Sequence, residues 1–154
     1  MLRAGAGWAT DTAMAGPFDP ARLLAARHGH GARLGIEYHR HGDDWCELML
    51  PWREELVGDP ERNLLASGPI LTMMDQATSM SIWLKLGAWR SQATLDLRID
   101  YLRPATPGRT VYGRGECYRL TRAIAFVRGQ AHDGDPGDPI AHVAGTYMFL
   151  EAQP

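Results

Sequence analysis

The sequence predicts an α+β domain in which a curved antiparallel sheet wraps one long helix. Three observations carry this expectation. Apolar residues recur at helical spacing from Ile70 through Met73, Met74, Ala77 and Met80 to Leu84. Four strand-like runs follow, ATLDLRIDYL, RTVYGRGECYRL, AIAFVRGQAHD and IAHVAGTYMFL, separated by PATPG, TR and GDPGDP. Two shorter alternating runs precede the helix around the turn sequence HGDD.

In chain order, residues 1–16, MLRAGAGWATDTAMAG, are rich in Gly and Ala and read as a loose leader; residues 17–154 form the single domain. Asp19 is an N-cap with Pro20 behind it, and Gly29 is a stop, so a short helix is expected over residues 20–28. Ile36 and Tyr38, then the run from Trp45 to Leu50, form the hairpin. REELVGDPERN is a polar loop broken by Gly58 and Pro60. Gly68 and Pro69 open the long helix, with proline at its first position, and Gly87 ends it. Leu71, Ile82 and Trp83 widen its apolar arc, so the helix is expected to be wrapped on most sides. The four later runs are expected to form a meander.

A chain of 154 residues, 45% hydrophobic, can build one core but not two sizeable ones. With 16 basic against 18 acidic residues, net charge is −2, which gives no electrostatic case for nucleic acid or an anionic membrane as partner. No apolar run approaches the ~18 residues of a membrane span. Cys46 and Cys117 are too few and too far apart for a metal motif and read as reduced thiols of a cytoplasmic protein. His28, His30, His39 and His41 come in pairs but lack a third ligand at metal-binding spacing, so no metal is expected.

One residue does not fit a purely structural reading. In ASGPILTMMDQA, Asp75 sits among leucine, isoleucine and methionine, where burial would desolvate a carboxylate and favour its neutral form. The simpler alternative places it on a solvated helical stripe with Thr72, Gln76 and Ser79.

The order of elements, together with ATLDLRIDYLRPATPG (Ala93 to Gly108), RLTRAIAFVRGQAHD and GDPERNLLASGPILTMMDQA, resembles hotdog-fold acyl-CoA thioesterases, most closely the phenylacetyl-CoA (PaaI-type) family. The resemblance runs from about Glu37 to Leu150. It implies hydrolysis of an aryl- or medium-chain acyl-CoA, with coenzyme A as part of the substrate and no separate cofactor. It also implies a homodimer or a dimer of dimers, with two sites at the subunit interface. Asp75 falls on the family's helix carboxylate, the base or nucleophile. Ser67 and Gly68 fall on the turn that supplies oxyanion-binding N–H groups, where the family has His-Gly-Gly and this chain has Ala66, Ser67 and Gly68. Asp59 falls where relatives carry a loop asparagine, with Asn63 four residues on as a substitute. Thr94 falls on a hydroxyl that holds the attacking water, usually from the partner subunit; its structural alternative is ordinary strand propensity.

Asp96 and Asp100 alternate with Leu95, Leu97 and Ile99 and read as outward charges on a half-buried strand. Arg103, Arg119 and Arg122, at strand ends, are candidate contacts for the phosphates of coenzyme A. Two other readings compete: a hotdog domain that binds an acyl thioester or another apolar ligand without hydrolysing it, and, more remotely, a dehydratase, which would want an Asp-His pair absent from the helix.

Overall fold

The computed structural model describes residues 18–25 and 29–150. The expected leader, His28 and the end of the first expected helix lie outside those residues. Helix α1 (Pro20–Ala25) starts as its sequence predicts, because Asp19 Oδ1 accepts from the N–H of Ala21 at 2.9 Å and of Arg22 at 3.3 Å. Gly29 is not simply a stop: it has φ +82° and opens a second short helix, α2 (Gly29–Leu34).

Strands β1 (Glu37–His41) and β2 (Trp45–Leu50) form the hairpin, closed by Gly42 N–H donating to Trp45 C=O at 3.0 Å. Cys46, Leu48 and Leu50 face the core, so Glu47, between the first two, points to the opposite face of the sheet. There it is buried under Arg40, whose Nε lies 2.7 Å from its carboxylate. The polar loop that follows is not structureless. It makes one 3-10 turn at Glu54–Leu56 and a small antiparallel pair, β3 (Val57–Asp59) with β4 (Leu64–Leu65), joined through Asn63 at φ +54°.

Helix α3 (Ser67–Leu86) is the long one. Pro69 is its third residue rather than its first, which still falls within the turn whose N–H groups have no helical partner. Gly87 ends it in the left-handed region, φ +68°, with its N–H on Leu84 C=O at 3.0 Å. Ile70, Met73, Met74, Ala77, Met80 and Ile82 are buried, each large one contributing about 1.5–3 kcal/mol, so tertiary packing rather than propensity holds the helix. The wrapping is incomplete. Leu71 is exposed, and Thr72, Asp75, Gln76 and Ser79 form a half-buried stripe.

Strands β5 (Gln92–Tyr101), β6 (Val111–Leu120), β7 (Ile124–His132) and β8 (Ala141–Phe149) complete an antiparallel sheet of order β1-β2-β6-β7-β8-β5. The expected four-strand meander is therefore corrected: only β6-β7-β8 runs consecutively, and β5 lies on the far edge beside β8. The connection from Tyr101 to Val111, at about 3.3 Å per residue, easily crosses the roughly 14 Å of three strand spacings. Within β5 the expected alternation also breaks. Thr94 pairs with Tyr147 but Asp96 with Thr146, so Leu95 is a bulged, 54% exposed residue and Thr94 takes the inward position. Asp96 and Asp100 do point outward, the latter paired with Arg98 at 2.9 Å.

Helix and sheet meet most closely at β6. A Cβ built on Gly115 would lie 2.5 Å from Thr78 N and 2.7 Å from the Ala77 carbonyl carbon, so this glycine admits the helix backbone itself. Gly115→Ala is expected to cost about 1–3 kcal/mol, because backbone cannot move aside as a side chain can. Chemical denaturation measures it, and an unchanged midpoint would contradict the contact.

The end of β5 is clamped to the end of β7. Arg103 Nη2 donates to Asp133 Oδ1 at 2.7 Å and Nη1 to Oδ2 at 3.0 Å, while Asp133 also accepts from Thr106 N–H at 2.7 Å. The guanidinium beside it holds the Asp133 carboxyl well below the usual carboxylate range. Because the folded value is depressed, this stabilisation is complete above the unfolded pKa of about 3.9 and is lost as pH falls toward the folded one. Asp133→Asn is expected to cost about 2–3 kcal/mol at pH 7. Thermal unfolding of wild type and variant is expected to converge in acid.

Candidate active site

The open stripe of α3 gives Asp75 its surroundings. One turn of helix faces the junction of β5 and β8, and the bulge at Leu95 turns Thr94 toward it. Thr94 Oγ1 donates to Asp75 Oδ1 at 3.0 Å, and Tyr147 OH donates to the same oxygen at 2.8 Å. Both hydroxyls come from the same chain as Asp75. Tyr147 is 1% exposed and also lies 2.8 Å from Thr78 Oγ1, which reaches the Met74 carbonyl at 2.8 Å. Burial first, and the neighbouring Asp75 carboxylate second, push the phenol of Tyr147 above its ordinary pKa, so it stays protonated and able to donate. Asp75 is thus neither wholly buried nor simply solvated; it is a half-buried carboxylate with two hydroxyl donors.

At the start of α3, Ala66 is the N-cap and makes no side-chain capping bond; its N–H donates to Leu56 C=O at 2.9 Å. Pro69 has no N–H to offer. The N–H groups of Ser67 and Gly68 find no acceptor among the described residues, and they point out of the positive end of the helix dipole. Neither residue has positive φ, and a Cβ on Gly68 would meet nothing within 4 Å, so serine in a family glycine position carries no backbone strain. Tyr101 OH, donating to Ser67 C=O at 2.8 Å, ties this turn to the end of β5. Beside it opens a cleft of about 370 Å³, lined by Leu65, Ile70, Tyr101, Leu102, Pro104 and Ile140 among others.

The remaining expected residues are dispersed. Asp59 is paired with Arg62, Oδ2 to Nε at 2.7 Å, and this pairing lowers its pKa; it makes no contact with Asp75. Asn63 is exposed in the β3-β4 turn. The three arginines do not form one patch. Arg103 borders the cleft, but Nη1 and Nη2 are spent on Asp133, Pro104 C=O and Asp138 C=O. Its Nε sits 3.0 Å from Asp138 Oδ2 without hydrogen-bond geometry, an electrostatic contact only. The expectation that Arg103 offers its guanidinium to a phosphate is thus corrected. Arg119 and Arg122 lie exposed at the β6-β7 turn, near the other end of α3. Arg90 joins them there, its guanidinium 4.1 Å over the Phe149 ring and its Nη1 3.4 Å from Arg122 C=O.

The sequence reading missed Tyr147 and Thr78. Tyr147 alternates with Val143 and Gly145 and looks like an ordinary core aromatic. The available signal was that a buried phenol needs a polar partner, and the helix offered few. Cys46 and Cys117 are free and buried, and burial raises their thiols to about 12 and about 11. His30, His39 and His41 are exposed, His39 lying 3.6 Å from Glu47. No helix among the described residues is long and apolar enough to cross a membrane.

Comparison with known proteins agrees with this geometry. A protein of known structure from Pseudomonas aeruginosa is 40% identical, with TM-score 0.75 over 84% of this chain and 96% of that one. A thioesterase from Haemophilus influenzae is 21% identical, TM-score 0.73, covering 85% of this chain and 87% of its own. The E. coli PaaI protein from the phenylacetic acid degradation operon is 12% identical, TM-score 0.74, covering 86% and 92%; these last two likenesses speak to the fold. Comparison with functionally curated proteins gives no match. The family profile of the thioesterase superfamily matches residues 64–140, which span β4, α3, the N–H turn, Asp75, Thr94 and the sheet up to Ile140, and the chain belongs to that superfamily.

Proposed function

We propose that this chain hydrolyses an aryl- or medium-chain acyl-CoA thioester with Asp75 as general base. The observation that carries the reading is the carboxylate itself: Oδ1 is held by Thr94 and Tyr147, while Oδ2 has no donor among the described residues. In this reading Oδ2 takes a proton from water as the water oxygen bonds to the thioester carbon. The carbonyl electron pair moves onto its oxygen, which is met by the free N–H groups of Ser67 and Gly68. Collapse breaks the C–S bond, and the sulfur leaves with the proton, giving free acid and coenzyme A thiol.

One chain cannot do this alone. Asp75 lies seven to eight residues beyond the free N–H groups, about 11–12 Å along the helix axis, too far to act on one carbonyl. A second copy bringing its own helix start to this Asp75 completes the site. Strand β5, an open edge with exposed Leu95 and Tyr101, is the surface that such a copy would cover. The cleft, lined by apolar side chains together with Ser67 and Arg103, would then take the acyl or pantetheine part, and Arg119 and Arg122, with Arg90 beside them, the phosphates. A cytoplasmic setting agrees with two buried, unpaired cysteines.

Purified protein is expected to release free thiol from aryl- or medium-chain acyl-CoA esters, and Asp75→Asn to lower turnover by about 10²–10⁴-fold with the fold intact. Undiminished turnover in that variant would remove Asp75 from the mechanism. Mixing Asp75→Asn chains with chains in which Gly68→Pro removes one free N–H is expected to restore about a quarter of wild-type activity, through mixed dimers with one intact site. A second reading, a domain that binds the thioester without cleaving it, is favoured by Ala66 in place of histidine and by Asp59 being engaged with Arg62. Saturable binding with no thiol release would establish it instead.

A further inference from the structure

The hydrogen bonds around Asp75 are asymmetric, and the asymmetry comes from a residue that the family turn and helix motif do not contain. The single phenolic proton of Tyr147 has three oxygens in reach: Asp75 Oδ1 at 2.8 Å, Asp75 C=O at 3.1 Å and Thr78 Oγ1 at 2.8 Å. The carboxylate is the charged acceptor, and charge-assisted bonds are roughly twice as strong as neutral ones, so the proton goes to Oδ1. Thr78 has only hydroxyl and carbonyl oxygens around it, so its own proton goes to the phenolic oxygen, to Met74 C=O or to Asp75 C=O at 3.1 Å. Thr94 donates to Oδ1 from the other strand. Two donors on one oxygen fix the rotation of the carboxylate and aim the other oxygen away from the sheet.

We propose that Tyr147 is a positioning residue for Asp75: with Thr94 it engages Oδ1, so that Oδ2 is the oxygen presented to the attacking water. This rests on the reading of Asp75 as base. The side chains that reach the carboxylate are Thr94 on β5 and Tyr147 on β8, while Thr78 on α3 contacts Tyr147 and the Asp75 backbone carbonyl; of these only Tyr147 titrates, and Asp96 on β5 points to the opposite face of the sheet. No Lys, Arg or His among the described residues forms an ion pair with Asp75.

The test is Tyr147→Phe, which keeps the buried ring and deletes the donor. Expected is a fall in kcat of about tenfold or more, with KM changed less than about twofold. A loss confined to kcat while KM holds is a split that looser packing alone would not produce. Thr78→Val, which frees the phenol from its other partner, is expected to give a smaller fall in kcat, and no further fall when combined with Tyr147→Phe. If Tyr147→Phe does not fold, Thr78→Val is read by the same kcat and KM. Wild-type kcat, beside an inactive Asp75→Asn, would overturn the positioning role and leave the hydrolase reading standing. Absence of thiol release by wild type with every ester would instead overturn the base reading, and the positioning role with it.

Discussion

The closest approach between helix and sheet, at Gly115, governs the rest of the molecule. Where backbone of β6 meets backbone of α3 at Ala77 and Thr78, neither the height of the helix above the sheet nor its rotation is free. Fixing Thr78 there also fixes Asp75 one turn earlier, and sets Thr78 Oγ1 against the Tyr147 hydroxyl. Gly113, whose Cβ would run into the side chains of Met73 and Met74, extends the same smooth strip along β6. A larger residue at Gly115 would lift the helix away from β8, and the carboxylate would lose its donors, whereas at Gly113 the methionine side chains can shift. Packing and chemistry are therefore set by one contact.

A second constraint comes from the sheet edge. Bulging Leu95 out of register costs one ladder position but turns Thr94 inward, beside Tyr147 rather than on the outer face with Asp96. The same strand ends in Tyr101, whose hydroxyl holds the first turn of α3, and continues into Arg103, clamped on Asp133. Strand β5 thus touches the carboxylate at one point and the N–H turn at another, although the two are separated by two turns of helix. Strand β5 is also an unpaired edge of the sheet, so the strand that contacts both features is one whose backbone groups are open on one side.

Much of this was legible in order along the chain. Asp19 before Pro20, the HGDD turn, Gly87 at the end of α3 and the last three strands all follow from local rules, since capping, turn chemistry and alternation act over a few residues. Asp75 stood out because a carboxylate in an apolar helical run is a local anomaly. The place of β5 beside β8, the bulge at Leu95 and the engagement of Arg103 did not stand out. Each depends on a residue about thirty or more positions away, and alternation in ATLDLRIDYL gave a register that the partner strand overrode.

By itself, then, the sequence determined the main helix, most of the large strands and the carboxylate on that helix, because hydrophobic period and turn residues are properties of neighbouring positions. Tertiary structure alone decided which hydroxyls meet Asp75 and that both reach the same oxygen. Those outcomes depend on strand order and on helix rotation over the sheet, which no local pattern encodes. They were settled where Gly115 lets two backbones touch.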